Sequence, residues 1–429
     1  MAEDLLRERL SKFIPPKEEW TPVDEALYGV EDIYNVPEEK AKKLREDAIR
    51  YSFKHHYEGN KFYHNYCKKA GVKPDDIKTE EDFNKIPLVP DTFFKSYPDI
   101  EEDGGKNFLK WLEKIYTGEL PKIAIEKNTT ISKMQSKLNK KGIKLCHTSG
   151  TSKKISILPH TNESIGHYVH TYTCALSEML SYKDKIKMIC FSSRMPMDIA
   201  IGNVFKMAEN TGVWNMLYLL ENLGIDLSIM KKRTDEKKKK MLESSLKKLE
   251  KMGEDEDYLF FLPPPFLPPI LKIMDVHGLK FNFRNANALT GGGGWIMTQE
   301  SYRDALFEYF GISQDRHIDL YTTTELDVCV SQCKGHYYHL PPSVLYPFVL
   351  DEEMNPLPCG EYGRFSFLDS LANSYPGFII TGDRVKLLEH CPECDRPGPV
   401  LAPEISRVPG VESRGCAEVM AKVLEEMRE

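Results

Sequence analysis

Short apolar segments that each end in a proline-, glycine- or threonine-rich turn recur through the middle of this chain. Residues 258–262, 288–290 and 317–321 are segments of this kind, and longer helical stretches lie between them. Apolar strands that alternate with helices are typical of an α/β fold with an at least partly parallel sheet. Since the carboxyl ends of parallel strands meet at one edge of a sheet, ligands commonly bind there. We therefore expect an α/β fold with a binding site built from strand ends.

The composition excludes several classes of protein. The net charge of −7 argues against general affinity for nucleic acid or for an anionic membrane, both of which need an excess of basic residues. No signal-peptide pattern opens the chain, and no apolar run reaches the ~18 residues of a membrane span. The ten cysteines are spread along the sequence, which favours a reducing cytoplasm over a disulfide scaffold. We expect a cytoplasmic globular protein with no nucleic-acid or membrane partner.

A loop rich in hydroxyl groups lies between two further apolar segments. Its candidate ligand-binding residues are Thr148, Ser149, Gly150, Thr151, Ser152 and Lys154. Backbone N–H groups, hydroxyl donors and positive charge in one tight loop can cradle a polyphosphate. The Walker pattern is absent, and a plain surface turn is the alternative. His147 beside the loop would either donate to a phosphate or a carboxylate, or serve a structural role.

Two later turns suit the base and the phosphates of ATP. Gly292 and Gly293 belong to a run of four glycines, which lets the backbone approach a flat ligand closely. Tyr321 offers a ring on which an adenine can stack. Thr324 suits an α-phosphate oxygen, and the Glu325 carboxylate suits Mg²⁺, which prefers oxygen ligands.

A fourth turn, predicted at residues 380–383, completes the nucleotide site. Asp383 ends it, and an acceptor carboxylate commonly binds ribose hydroxyls.

The order of these motifs carries a resemblance. Thr-Ser-Gly-Thr, a glycine run, Tyr-x-x-Thr-Glu and Thr-Gly-Asp together resemble the superfamily of acyl- and aryl-adenylate-forming ligases. The Gly-Gly-Trp that ends at Trp295 resembles the acyl-protein synthetases of bacterial luminescence. So do the Ile-Pro-Leu-Val-Pro segment at residues 86–90 and the Arg-Gly-Cys at residues 414–416. This family implies ATP- and Mg²⁺-dependent activation of a fatty or aryl carboxylic acid, followed by acyl transfer to a protein cysteine thiol.

The resemblance also implies an architecture of stacked α/β sheets with a small β-rich subdomain. We expect an adenylation core over residues 1–328, a β-rich subdomain over 329–404 and a short tail over 405–429. Such ligases carry a further mobile lobe of roughly 100 residues, whereas 46 residues follow Asp383 here. We therefore expect that lobe to be truncated, with Arg407 in the position of the hinge arginine at the nucleotide.

Two departures from the family pattern concern the nucleotide loops. Lys153 stands where the phosphate loop usually has glycine, and Thr322 replaces the usual glycine after the tyrosine. The phosphate loop is therefore expected to adopt a different position. A catalytically idle nucleotide- or acyl-binding subunit is the alternative from another functional class.

The acyl acceptor is expected in the tail. The resemblance points to Cys416, and Arg414 beside it would favour the reactive thiolate. The alternative for Cys416 is an unreactive, packed thiol. The protein would then be a ligase that uses CoA as the acceptor, or a coenzyme-F390-type ligase. An acyl-CoA or acyl-protein reductase is the partner that would consume a thioester. We expect Pro263–Phe266, with Phe191 and Trp295, to shape the acyl pocket.

A second cluster of candidate ligands suits a structural metal. Cys391 and Cys394 form a Cys-x2-Cys knuckle, and a second half-site lies about 50 residues upstream. From it we choose Cys333 and His339, which would complete a closed zinc tetrahedron. Some aryl-CoA and coenzyme-F390-type ligases have a similar arrangement. Redox-active or merely solvent-exposed thiols are the alternative.

Overall fold

The computed structural model describes residues 8–11, 14–98, 103–124, 129–147, 156–182, 186–192, 199–219, 235–292 and 297–408. The helices are α1 Pro22–Tyr28, α2 Glu38–Gly59, α3 Lys61–Ala70, α4 Lys106–Ile115, α5 Ile131–Asn139, α6 Asn162–Leu180, α7 Ala200–Asn210, α8 Asp235–Leu249, α9 Leu267–His277 and α10 Gln299–Phe310. None of the helices in this described part of the chain combines the length and the apolar character needed to cross a bilayer.

The strands are mostly short. They are β1 Val89–Pro90, β2 Lys144–His147, β3 Ile157–His160, β4 Ile186–Cys190, β5 Trp214–Tyr218, β6 Tyr258–Phe261, β7 Asn287–Gly291, β8 His317–Tyr321, β9 Val330–Gln332, β10 Tyr338–His339, β11 Leu345–Leu350, β12 Tyr362–Asp369, β13 Phe378–Leu388, β14 Val400–Leu401 and β15 Ser406–Arg407. Strands β2 and β3 form a separate antiparallel pair, and the other thirteen form one sheet.

The sheet has a parallel part and an antiparallel part. Strands β5, β4, β6, β7 and β8 pair in parallel in that order, with helices in the connections between them. This is the α/β arrangement that the alternating pattern predicted. Beyond β8 the order continues through β9, β10, β14, β13, β12 and β11, and all of these pairs are antiparallel. Strands β8 and β9 are hydrogen-bonded to each other, so the sheet is continuous across the boundary expected at residue 328. The division into domains stays a prediction.

The turn predicted at Asp383 lies inside a strand, which corrects our expectation. Strand β13 runs on past this point because Val385 and Leu387 continue the buried alternation of residues. On strand β12, Arg364 pairs with Arg384 and Ser366 pairs with Ile380. Three residues of β13 therefore face one residue of β12, which is a bulge. A bulge re-aims side chains locally, and it is this irregularity that carries Asp383.

Local sequence explains where helix α6 begins and ends. The Thr161 hydroxyl accepts a hydrogen bond from the Ser164 backbone N–H, and the Ser164 hydroxyl accepts one from the Thr161 backbone N–H, so the first turn is capped. The helix ends at Ser181, which adopts a left-handed conformation with φ of 63°. Fourteen of its nineteen residues are buried. Helix α6 is therefore a core helix rather than a surface one.

Candidate active site

The ends of strands β7 and β8 lie side by side. Gly291 is paired with Leu320, so the glycine turn and the residues after Tyr321 leave the sheet at the same edge. Gly292 has φ of 85°, a conformation that disfavours any residue with a side chain. Two of the predicted nucleotide turns are therefore neighbours in space.

Asp383 joins this edge from the antiparallel part of the sheet. The Tyr321 hydroxyl donates a hydrogen bond of 2.7 Å to one Asp383 oxygen. The Arg407 guanidinium forms an ion pair with the other oxygen, and the two residues are register partners in strands β13 and β15. Burial lowers the pKa of Arg407, but the charge of Asp383, its hydrogen bond and the charges of Asp91 and Tyr321 together raise that pKa above its ordinary value. Three residues predicted separately for the nucleotide site thus form one connected group.

The N-terminal segment also reaches this group. Val89 and Pro90 in strand β1 pair in parallel with Ile379 and Ile380 of strand β13. The next residue, Asp91, is buried and acts electrostatically on Arg407. Sequence reasoning gave this segment no role in the site, because its position depends on a strand pairing with residues far along the chain.

Glu325 lies four residues beyond the end of strand β8 and is 5% exposed. Its backbone N–H donates to the Thr323 hydroxyl at 3.2 Å, which forms a compact turn. Thr324 and Glu325 belong to this turn. They lie at the edge of the sheet because strand β8 ends there, at Tyr321. A buried carboxylate beside threonine hydroxyls provides the oxygen donors that a hard cation prefers.

A buried polar network behind Glu325 was missed by the sequence analysis. The Tyr375 hydroxyl donates to Asp327 at 2.8 Å, and the Asp327 backbone N–H donates to Asp369 at 2.6 Å. His160 Nδ1 lies 3.4 Å from the Asp327 carboxylate, without hydrogen-bond geometry. Burial, followed by the negative charge of Asp327, raises the pKa of Asp369 to about 8. This network supports the turn that carries Glu325 and links it to strand β3.

A second buried network lies under the glycine turn. Asp319 accepts hydrogen bonds of 2.6 Å from the hydroxyls of both Thr290 and Tyr338. Thr290 immediately precedes Gly291, so this carboxylate fixes the end of strand β7. Burial raises the pKa of Asp319 to about 6 although these hydrogen bonds oppose the shift. No sequence motif signals this network, because it connects β7, β8 and β10.

The four residues chosen as metal ligands come together. Cys333 and His339 come from the β9–β10 hairpin, and Cys391 and Cys394 come from the connection between β13 and β14. One ligand atom from each residue lies within 4.8 Å of those of the others. Gly335 allows this approach, because a Cβ there would lie 2.2 Å from the Glu393 Cβ.

The spacing within the cluster fits a tetrahedral ion. The Cys333 and Cys391 sulfurs are 3.9 Å apart, and the Cys394 sulfur is 3.3 Å from His339 Nε2. Zn–S bonds of ~2.3 Å in a tetrahedron separate two sulfurs by ~3.8 Å. Burial and the charge of Arg396 lower the pKa of His339 to about 4, so the ring is neutral at pH 7, as metal ligation requires. Burial raises the pKa of Cys391 to about 12, a shift that a bound cation would reverse.

Several predicted residues lie outside the described part of the chain. These are the phosphate-loop residues Thr148, Ser149, Gly150, Thr151, Ser152, Lys153 and Lys154, together with Gly293, Trp295, Arg414 and Cys416. The flanking strands β2 and β3 are described, and Cys146 pairs with Leu158 and His147 with Ile157. Phe191 and Phe266 are buried in an apolar cluster that includes Phe260. Their role in an acyl pocket stays a prediction.

Comparison with known proteins decides the family. The model of the acyl-protein synthetase family LuxE matches residues 18–135 and 117–425. The chain belongs to the LuxE acyl-protein synthetase family. The resemblance found in the motifs is thereby confirmed, and the protein is an acyl-adenylate-forming ligase.

Two curated relatives extend along nearly the whole chain. Both are named long-chain-fatty-acid–luciferin-component ligase. The protein from Vibrio harveyi is 23% identical over 412 residues, which cover 94% of this chain and 93% of the relative. The protein from Aliivibrio fischeri is 23% identical over 398 residues, which cover 90% of each.

The fold also matches solved structures. A 2-hydroxyisobutyryl-CoA ligase in an open conformation, in complex with 2-HIB-AMP and CoA, superposes with a TM-score of 0.61 at 13% identity. The match covers 95% of this chain and 84% of that ligase. The same ligase in the thioesterification state gives 0.61 at 14% identity, covering 92% and 72%. The predicted fold class, that of adenylate-forming ligases, is therefore confirmed.

The buried Asp319 predicts a pH dependence of stability. Its pKa is about 6 in the folded chain and ~3.9 in an unfolded one. The contribution of protonated Asp319 to the stability of the fold is therefore complete below pH ~3.9, and it is lost as the pH rises through about 6. Asp319→Asn removes this titration. We expect the free energy of unfolding of the wild type, relative to D319N, to fall by about 2 kcal/mol between pH ~4 and pH ~6.

Urea unfolding at a series of pH values measures this difference. Asp315→Asn is the matched control, because Asp315 is an exposed aspartate just before the same strand. D315N should follow the wild-type profile across this range. A D319N profile parallel to that of the wild type would refute the titration of Asp319.

Proposed function

We propose that this protein activates a long-chain fatty acid with ATP and Mg²⁺ and transfers the acyl group to the thiol of its own Cys416. The observation that carries the proposal is the connected group of Tyr321, Asp383 and Arg407 at the edge where strands β7 and β8 end. Membership of the acyl-protein synthetase family and the name shared by its two curated relatives support the choice of acid.

Each part of the site has a role in binding ATP. Asp383 accepts hydrogen bonds from ribose hydroxyls, and Tyr321 and Gly292 face the adenine. Arg407 neutralises Asp383 and contacts the nucleotide. Thr324 donates to an α-phosphate oxygen, and the loop of Thr148, Ser149, Gly150, Thr151, Ser152 and Lys154, with Gly293 in the glycine run, completes the binding of phosphates and base.

Glu325 is the residue that holds Mg²⁺. Its buried carboxylate follows two threonines, and this donor set fits an oxygen-preferring cation. When bound, Mg²⁺ supplies positive charge that stabilises the negative charge developing on the phosphates. The Tyr375–Asp327–Asp369 network holds the turn in place.

The reaction has two steps. In the first, an oxygen of the fatty carboxylate attacks the α-phosphorus of ATP, and the bond to the β-phosphate oxygen breaks, so that pyrophosphate leaves. The product is a mixed anhydride, the acyl-adenylate. In the second, the Cys416 sulfur attacks the acyl carbon, the bond to AMP breaks, and the thiol proton goes to solvent.

Chain length permits Cys416 to be the acceptor. Cys416 is nine residues beyond Arg407 in the sequence, and nine extended residues span at most ~30 Å. A thiol tethered at this distance has a high effective concentration at the site. A thioester is also the form of acyl group that an acyl-protein reductase could consume. The use of ATP favours a reaction in the cytoplasm.

The cluster of Cys333, His339, Cys391 and Cys394 is proposed to hold a structural Zn²⁺. All four positions would be filled by protein ligands, so the ion would have no open site for catalysis. Its role would be to fasten the β9–β10 hairpin to the β13–β14 connection, next to the strand that carries Asp383.

Glu325→Gln is expected to reduce acid-dependent exchange between pyrophosphate and ATP by about 10²–10³-fold, because it removes charge from the metal site. The wild type is tested with a panel of fatty acids. Glu308→Gln, which removes an exposed carboxylate from helix α10, should exchange normally. Normal exchange in E325Q would refute the role of Glu325, and a wild type without exchange on any acid would favour an idle binding subunit.

Cys416→Ser is expected to keep the exchange reaction but to lose covalent labelling by radioactive fatty acid in the presence of ATP. In the wild type the label should survive denaturation and be released by neutral hydroxylamine, as a thioester requires. Cys359→Ser removes an exposed cysteine and should label normally. Undiminished labelling of C416S, or formation of free acyl-CoA in its place, would refute Cys416 as the acceptor.

Cys394→Ser is expected to lose one equivalent of zinc per chain relative to the wild type and to unfold at a lower temperature, because a structural ion contributes directly to folding. Elemental analysis and thermal denaturation measure the two effects, with Cys359→Ser as the control. Wild-type protein that is purified without chelator and contains no zinc would rule out the tetrahedral site.

A further inference from the structure

A second group of ligand-type side chains lies far from the cysteine cluster in sequence. It consists of Asp24 in helix α1 and of Glu163 and His167 in helix α6. One ligand atom from each residue lies within 4.8 Å of those of the other two. Glu163 and His167 are four residues apart, so they project from one face of the helix. Two segments of the chain therefore bring two carboxylates and an imidazole to one point.

His167 is the decisive member of the group. Its ring is 2% exposed, and Nδ1 lies 3.3 Å from the Leu371 carbonyl oxygen. If that nitrogen donates its proton to the carbonyl, Nε2 carries a free lone pair, as in most metal-bound histidines. Within the described part of the chain, Nε2 has no hydrogen-bond partner. A buried nitrogen without a partner is costly, and a cation bound there would remove the cost.

Asp24 is held in position by local structure. Its carboxylate accepts hydrogen bonds of 2.8 Å and 2.7 Å from the backbone N–H and the hydroxyl of Thr21, which form a capping box. The residue is 5% exposed. It is thus a buried carboxylate whose direction is fixed before any ligand binds, which lowers the cost of binding.

The two carboxylates place negative charge at this point. Throughout the described ranges, neither Asp24 nor Glu163 forms an ion pair with a basic side chain. Both carboxylates act on Tyr28, whose ring is 6.2 Å from that of His167, and their charges add to burial in raising its pKa. Two like charges this close together repel each other, and a cation between them removes the repulsion.

We propose that Asp24, Glu163 and His167 bind a divalent transition-metal cation, with Zn²⁺ as the preferred ion. The mixture of one imidazole and two carboxylates suits such an ion better than Ca²⁺ or Mg²⁺, and among the common candidates Zn²⁺ binds more tightly than Mn²⁺. Glu163 is exposed, which gives the ion a path to the site. The ion fastens helix α1 to helix α6, and a water molecule fills the remaining position.

The test is equilibrium dialysis of the full-length protein against Zn²⁺, with the bound metal counted per chain. Glu163→Gln is expected to bind one equivalent fewer than the wild type. Because Glu163 is exposed, this change should leave the fold intact. Glu25→Gln is the matched control, since it removes an exposed carboxylate next to Asp24 and should bind as the wild type does.

A second measurement separates the site from the cysteine cluster. The C394S and E163Q substitutions should each remove one equivalent of bound zinc independently of the other. The double variant C394S/E163Q should therefore bind two equivalents fewer than the wild type. Zn²⁺ should also raise the melting temperature of C394S but not that of the double variant. Equal zinc binding by wild type and E163Q, or equal stabilisation of the two Cys394 variants, would overturn the proposal.

Discussion

The pairing of strand β13 with its neighbours is the constraint on which the rest of the structure depends. This strand of eleven residues pairs with β12 and β14 in the antiparallel part of the sheet and also with the short strands β1 and β15. It therefore joins the N-terminal segment, the β-rich part and the last described residues of the chain. Every backbone group buried along it must find a partner, so these segments cannot shift independently.

This pairing also explains why the site has its charge arrangement. The bulge in β13 turns Asp383 toward Tyr321, while the register with β15 sets Arg407 opposite it. An ionised carboxylate offers about four lone-pair sites. The bonds from Tyr321 and Arg407 therefore leave Asp383 able to accept ribose hydroxyls. The sheet holds both protein partners of Asp383, so this residue can support the fold and still take the binding role proposed for it.

Local pattern predicted the parallel part of the fold well. Strand β8 was predicted at residues 317–321, where it is observed, because its five residues are all buried and are bounded by a helix and a threonine turn. Parallel strands place their ends at one edge, so the proximity of Gly292 and Tyr321 followed from topology alone. The bulge did not follow, because a bulge exists only relative to a partner strand, and the partner here is β12.

The Cys-x2-Cys spacing and the ligand types together predicted the cysteine cluster. His336 and His339 both belong to the upstream half of the motif, and of these two only His339 joins the group. His336 occupies the turn of the β9–β10 hairpin with φ of 67°, whereas His339 is in strand β10, which pairs with β14. The difference arises from strand pairing. The group of Asp24, Glu163 and His167 escaped the sequence analysis entirely, since its two halves are unrelated in motif and distant in the chain.

The buried carboxylates show how the site and the stability of the fold are connected. Asp319 and Asp369 are each buried behind a strand end that carries predicted nucleotide-binding residues, and burial raises the pKa of both. Apolar residues at these positions would remove the desolvation cost of a charge, but they would leave the Tyr338 hydroxyl and the Asp327 N–H without these acceptors. Hydrogen bonds have direction, and packing alone does not, so these acids fix the orientation of the turns. The proposed nucleotide-binding role would require these turns to be held to within a fraction of an ångström, and that requirement would account for carboxylates that the core could otherwise do without.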